Sequence, residues 1–348
     1  MSHSFFAIPG DLSAATGGYA YDRQVMAECA GRDFTLTHCP LPGGYPDPSD
    51  KERQQTAQIL AALPRGLPLL IDGLALGAFD SATIEAIHSP LVALVHHPLA
   101  YETGLPEWRR AILLESERSA LASAKRVITV SRATADLLAQ QYGVPHSKIT
   151  IAEPGVIRAP RARGSGNDRL SLLAVGAISP RKAYPLLVEA LASLPLHNWR
   201  LTIVGPVLDD SETQKIEAII QRHDLGAHIR LAGRINADAL ASCYDEADLF
   251  VIASLFEGYG MVVTEALARG LPIVSTTGGA LGSTVPDDAS LKVPPGDVTA
   301  FAGALHRLMA DRQLRTAKAE AAWQRARDLP SWANCATMIV NVLKGVAR

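Results

Sequence analysis

The chain has 348 residues, 48% hydrophobic and 20% charged, with a formal net charge of −2. That length exceeds what one core ordinarily serves and predicts two domains, while the near-zero charge gives no electrostatic footing for nucleic acid. No apolar run reaches the length of a membrane span, and the first residues lack a signal-peptide pattern.

Taken in chain order, the first half alternates short apolar runs with helical stretches, the mark of a parallel α/β sheet. Strands are expected at 5–8, 34–39, 68–74, 91–95, 127–130 and 149–152. Helices are expected from Tyr19 onward and over 50–63, 81–87, 106–123 and 133–142. The stretch 158–169, with Pro160, Gly164, Ser165 and Gly166, has linker composition. A second series follows, with strands at 170–175, 201–204, 229–232, 249–253 and 273–276 and helices over 184–194, 211–223, 237–245 and 261–268. A last helix closes the chain over 331–346. Two α/β series of similar length predict two Rossmann-like domains, 1–157 and 168–330. Cys29, Cys39, Cys243 and Cys335 have neither disulfide nor zinc spacing, which fits a cytoplasmic protein.

The stretch 254–277 carries the densest chemical signal. Apolar strands flank it, Gly258 and Gly260 form an entry loop, and a helix starting at Met261 and Val262 runs to an exit at Gly270. Unpaired N–H groups at such a helix start suit an anion. Glu257 before the loop and Glu265 within the helix are placed to reach one ligand from different sides. A carboxylate accepts two hydroxyl donors, which suits vicinal diols. Phosphate on the loop and diols on two glutamates is what a nucleotide-sugar requires.

This unit, from Glu257-Gly-Tyr-Gly through Glu265-Ala-Leu-Ala-Arg-Gly-Leu-Pro-Ile-Val-Ser-Thr, resembles the E-x7-E signature of the retaining glycosyltransferases of family 4. Two glutamates at this spacing mean little alone; the glycines, the flanking strands and Gly-Leu-Pro make the match specific. The resemblance implies the GT-B architecture, two Rossmann-like domains facing a central cleft, with a closing helix (about 331–348) that crosses back to the first domain. It places the donor on the second domain, with Glu265 on the ribose and Glu257, Gly258, Tyr259, Gly260, Met261 and Val262 near the donor sugar and phosphates.

Three further places bear on that resemblance. Thr16-Gly17-Gly18-Tyr19 is similar to the family's glycine pair, where a bare backbone lets a ligand approach. Gly176-Ala-Ile-Ser-Pro-Arg181-Lys182 is similar to its phosphate-binding element, with Lys182 matching the lysine. Here the chain departs, since Ala177 stands where arginine is usual and Ala183 where glycine is usual. Arg181 is expected to supply the missing guanidinium. His96 and His97 end the fourth strand, where α/β sheets place ligands, and the family's donor-sugar histidine matches His96. One of this pair is expected to be packed and the other exposed. With no cysteine or carboxylate at ligand spacing, the pair is not read as a metal site. Ser131 reads as a helix N-cap, Asp72-Gly73 is open to either a structural or an acceptor role, and the pairs Asp209-Asp210 and Asp287-Asp288 read as solvated turns.

The sequence thus points to transfer of a hexosyl unit from a nucleotide diphosphate sugar, UDP- or GDP-linked, to an unidentified acceptor (small molecule, glycan or lipid-linked) with retention. The expected catalytic set is Glu257, Lys182, Arg181 and His96, with no metal and no cofactor. A GT-B epimerase or hydrolase of nucleotide-sugars, or a silent sugar-nucleotide-binding protein, is the alternative. A nicotinamide dehydrogenase is excluded, because no Gly-x-Gly-x-x-Gly follows the first strand.

Overall fold

The computed structural model describes residues 2–195 and 198–347. The chain forms two compact units, Met1–Gly155 with Pro330–Arg348, and Val156–Leu329. The sheet of the first comprises β1 (Ser2–Pro9), β2 (Phe34–Leu41), β3 (Leu69–Asp72), β4 (Leu91–Val95), β5 (Arg126–Thr129) and β6 (Ile149–Ile151), in the order β2-β1-β3-β4-β5-β6. The sheet of the second comprises β7 (Leu170–Val175), β8 (Trp199–Val204), β9 (Ile229–Gly233), β10 (Leu249–Ile252), β11 (Ile273–Thr276) and β12 (Ser290–Val293), in the order β12-β11-β10-β7-β8-β9. Every pairing in both sheets is parallel.

Helices on both faces bury such strands completely, so their sequences are unbroken apolar runs rather than alternating ones. β4 (Leu-Val-Ala-Leu-Val) and β10 (Leu-Phe-Val-Ile) are buried at every position. In each sheet the strand order reverses at one place, between β1 and β3 in the first and between β7 and β10 in the second. Loops leaving the carboxyl ends of strands diverge there and open a crevice for ligands. The sequence-singled loops after β3 and β4, and after β7 and β10, lie at or beside those reversals.

The structure refines several expectations. The first helix, Gly17–Ala30, starts two residues before Tyr19, because the Thr16 hydroxyl accepts from the Tyr19 N–H and fixes the cap. Each sheet has six strands; β12, absent from the strands expected, is a short polar-interrupted run after Pro286. Helices Val298–Ala310 and Arg312–Arg325 extend the second unit beyond the elements expected there. The stretch 158–169 has linker composition yet is pinned along the second unit: Arg161 pairs with Glu320 at 2.8 Å, Arg163 pairs with Asp245, and the Gly164 N–H donates to the Asp245 carbonyl at 2.9 Å.

The closing helix, Trp332–Val346, belongs to the first unit. Its Trp332 ring meets Tyr21 edge-on at 5.5 Å, and Cys335 Sγ contacts the Tyr21 hydroxyl at 3.2 Å. Gly155 is required here, since a Cβ would fall 2.0 Å from the Trp332 nitrogen. All four cysteines are free, and among the described residues no helix is long and apolar enough to cross a membrane.

Candidate functional site

In the second unit, the loop after β7 closes in one 3-10 turn, Pro180–Lys182. Lys182 lies directly over Gly176, where a Cβ would come within 3.0 Å of the lysine Cε. Tyr184 supports the same glycine by donating its hydroxyl to the Gly176 carbonyl at 2.9 Å. Ala183 has φ +49° and ψ +41°, a left-handed conformation that costs a residue with a Cβ roughly 1–2 kcal/mol. The glycine usual at this position therefore has a conformational reason, and this chain carries the strain instead.

The loop after β10 delivers Glu257 into that turn. Glu257 is 6% exposed. Its Oε1 accepts from Lys182 Nζ at 2.5 Å and Ser254 Oγ at 2.6 Å, and its Oε2 accepts from Arg181 Nη1 at 3.0 Å. Arg181 also donates to the Phe256 carbonyl at 3.1 Å. Burial alone would raise the Glu257 pKa, but the Lys182 and Arg181 charges beside it outweigh that effect and hold it down to about 2. The backbone is clamped from the loop after β11: the Glu257 N–H donates to the Gly278 carbonyl at 3.3 Å, and the Ala280 N–H to the Glu257 carbonyl at 2.8 Å. Gly279 allows this approach, since its Cβ would lie 2.4 Å from that carbonyl oxygen.

The expectation that Glu257 stands free for a ligand diol is thus corrected. Its carboxylate is already the anchor of two cations, because a buried charge must be paired. Gly258 and Tyr259 are buried in the loop, and Gly260 turns at φ +89° into the helix Met261–Leu267, which is one residue shorter than expected. Met261, Val262 and Glu265 are half-buried. Glu265 accepts from the Tyr244 hydroxyl at 2.8 Å, and Arg269 stacks over the Tyr244 ring at 4.4 Å. Burial raises the Glu265 carboxyl above its usual range, opposed by the Tyr244 hydrogen bond and by Arg269.

In the first unit, Gly18 starts the first helix against His96; a Cβ there would touch His96 Cδ2 at 3.5 Å, whereas Gly17 faces open space. His96 Nε2 lies 3.0 Å from Asp22 Oδ1 and 4.0 Å from Asp72 Oδ2, and the Tyr21 ring packs edge-on against the imidazole at 4.9 Å. Both aspartates are buried, and Asp72 Oδ1 accepts from the Leu74 N–H at 2.7 Å. The reading that no carboxylate serves the histidine pair is therefore overturned by long-range packing: Asp22, Asp72 and His96 form a group that could hold a metal ion among the described residues. The expectation of one packed and one exposed histidine also fails. His96 and His97 are each 18% exposed, and His97 faces Glu102 at 3.6 Å. The turn after them is tied by Glu117, which accepts from the Leu99 and Ala100 N–H groups at 2.6 and 3.1 Å.

Ser131 caps the helix Arg132–Tyr142 through the Thr134 N–H. Asp209 caps the helix Asp210–Arg222, while Asp287 pairs with Lys292 at 2.6 Å and Asp288 with Arg325 at 2.9 Å. Sequence reasoning did not find Ser254, Tyr244 or the Gly278-Gly279 clamp. Ser254 and Gly278-Gly279 follow strand ends and were accessible by position; Tyr244 reaches Glu265 only through packing.

Two six-stranded parallel sheets, each with a glycine-lined site at its strand ends, are the architecture of the GT-B class, and the comparisons with known proteins supply the activity. The family "Glycosyl transferases group 1" matches residues 158–325, and "Glycosyltransferase Family 4" matches residues 38–158. The chain belongs to this family-4 type and is a transferase that takes a nucleotide-sugar donor and an acceptor. It is similar to an MMP alpha-(1->4)-mannosyltransferase of Mycolicibacterium hassiacum, 27% identical over 88% of this chain and 77% of the relative. It is also similar to a D-inositol 3-phosphate glycosyltransferase of Kineococcus radiotolerans, 28% identical over 72% of this chain. The chain spans 63% of that relative's length. Among solved structures, HepE of Anabaena in complex with UDP superposes with a TM-score of 0.74, over 98% of this chain and 100% of that one, at 17% identity.

Proposed function

We propose that the chain moves a hexosyl group from a UDP- or GDP-sugar to a hydroxyl acceptor with retention of configuration, without a metal ion, as a cytoplasmic enzyme. The observation that carries this reading is the Lys182–Glu257–Arg181 cluster at the strand reversal of the second unit. Two cations against one carboxylate leave the site net positive, and Glu257 holds both in fixed positions. A departing nucleoside diphosphate gains negative charge as the glycosidic bond lengthens, and cations already in place stabilise that charge without reorganising. The same diphosphate then accepts the acceptor's proton on the face it leaves, so no separate base is needed.

Glu265 is the ribose ligand in this reading, its carboxylate steadied by Tyr244. Glu257 has about four acceptor positions, three of them occupied, which leaves one for a donor-sugar hydroxyl. UDP is bound by the Anabaena neighbour and mannose figures in the name of the Mycolicibacterium relative, which support a UDP-linked donor and a hexose cargo.

The test is turnover of UDP-glucose and GDP-mannose in excess EDTA, with and without a panel of sugar, sugar-phosphate and lipid-linked acceptors. Acceptor-dependent release of nucleoside diphosphate, undiminished by EDTA, with an α-linked product from an α-linked donor is expected. Release without any acceptor would make the chain a hydrolase or epimerase, and activity restored only by added divalent metal would overturn the metal-free assignment.

A further inference from the structure

The sheet of the second unit carries charge where a sheet covered by helices carries apolar packing. Ser171 of β7 pairs with Arg200 of β8, and Thr202 of β8 pairs with Arg230 of β9. Paired residues of parallel strands, and residues two apart on one strand, share a face. Ser171, Arg200, Thr202 and Arg230 therefore stand together on one face, near the amino ends of their strands. The other face of β8 is ordinary core, with Trp199, Leu201 and Ile203 all buried. Towards the carboxyl ends the charged face also turns apolar, at Leu173 and Val204, which pack with Tyr244 of the helix Ala237–Asp245. What that helix leaves uncovered is a cavity of about 230 Å³, lined also by Arg169, His228 and, at the helix end, Cys243 and Glu246.

The charges in this cavity do not cancel. Arg169 donates to backbone, to the Trp199 carbonyl at 3.1 Å and the Ala227 carbonyl at 2.7 Å, and no carboxylate offsets it there. Arg200 reaches Ser171 Oγ at 3.4 Å and Glu246 at 3.5 Å, both at the long limit of a hydrogen bond. Arg230 makes no hydrogen bond or ion pair among the described residues. It lies near the Cys243 thiol, whose pKa burial raises and the Arg230 charge lowers. Glu246 is the one carboxylate among the described lining residues, and its side chain is 61% exposed. Asp248, beside Ser171, accepts from the Ser171 and Ser165 N–H groups at 2.8 and 3.2 Å, not from an arginine of the cavity. Three guanidiniums around one hollow are a donor set for a tetrahedral oxyanion, which arginine grips through paired N–H groups.

We propose that this cavity is a second ligand site, for a small phosphate-bearing dianion held by Arg200 and Arg230, with the fixed charge of Arg169 behind them. The cavity is smaller than the roughly 300–1,000 Å³ of pockets for larger ligands, so it admits inorganic phosphate or a monosaccharide phosphate and not a nucleotide-sugar. It is separate from the loops after β7 and β10, which leave the opposite ends of the strands. Along β8, six residues long, that separation is on the order of 15 Å.

The inference is independent of the transferase reading. Calorimetry on the full-length protein at low ionic strength uses glucose 6-phosphate and inorganic phosphate as probes, with glucose and potassium chloride as controls. Saturable one-to-one binding of a phosphate probe, at millimolar concentration or below and weakening with added salt, is expected. Whichever probe binds tighter tells an esterified phosphate from the free ion. Arg200→Ala and Arg230→Ala should each weaken binding about tenfold or more, the size of one charge-assisted hydrogen bond, and Arg230→Glu should abolish it. The Arg200 side chain is 42% exposed and Arg230 is exposed, so these changes leave the core intact, and circular dichroism verifies the fold. Saturating UDP should not displace the phosphate probe, and UDP affinity should be the same in all three variants. No saturable binding of either probe, displacement by UDP, or binding indifferent to all three variants overturns the proposal. If UDP itself does not bind, the transferase reading fails while the arginine variants still decide the cavity.

Discussion

Replacing Lys182 by methionine tests the diphosphate site, because the thioether keeps the stem over Gly176 and deletes only the ammonium. In the native protein Glu257 titrates at about 2 instead of 4.5. That gap corresponds to about 3 kcal/mol of preference for the charged form. A depressed carboxyl contributes stability that is present above the unfolded pKa and is lost as pH falls from 4.5 towards 2. Without Lys182, burial pulls the Glu257 pKa back up with Arg181 and the Ser254 hydrogen bond left to oppose it. Leaving a buried charge underpaired costs on the order of 3–5 kcal/mol at neutral pH. Lys182→Met should therefore unfold the second unit at markedly lower urea, while losing roughly a hundredfold or more in kcat at saturating donor. The double variant Lys182→Met/Glu257→Gln separates the two effects: stability should partly return, since the underpaired buried carboxylate is gone and Arg181 keeps its bond to the Phe256 carbonyl, but turnover should not. Initial rates and urea transitions on the same preparations decide the matter. If the double variant recovers turnover together with stability, Lys182 serves only to neutralise Glu257 and does not act on the diphosphate.

Glu265→Ala should weaken free nucleoside diphosphate and whole donor by the same factor in calorimetry, and unchanged nucleotide affinity removes it from the ribose. Arg181→Ala should lower kcat with a smaller change in donor affinity, and Ala177→Arg should partly rescue it; a silent Arg181→Ala ends the idea that it replaces the usual arginine. Ala183→Gly releases a left-handed Cβ and should stabilise the second unit by up to about 1 kcal/mol in thermal unfolding, with destabilisation refuting the strain.

Most strands were legible because parallel strands buried on both faces leave short unbroken apolar runs, as in β4 and β10. The second-unit site was legible because its residues cluster in two short loops, after β7 and after β10. Asp22 was not, since its significance lies in a contact with a residue more than seventy positions away, and an aspartate on a helix ordinarily reads as a solvated one. Tyr244 was hidden for the same reason, behind packing rather than spacing. β12 escaped because Ser290-Leu-Lys-Val is short and half polar, and its pairing with β11, not its own composition, makes it a strand. Ala183 appeared as a mere departure from a pattern until its backbone angles gave the departure a cost.

The assignment of the closing helix to the first unit has a consequence for how the chain is made. The second unit is complete at Leu329, yet the first still lacks Trp332 and Cys335, the residues that seat Tyr21 and so back the imidazole of His96. During synthesis the domain begun first is therefore finished last. Its opening helix must wait with an unfilled apolar face while the whole intervening unit emerges and folds, so a chain stopped just short of its end would carry an intact second unit and a first unit whose histidine has lost its backing.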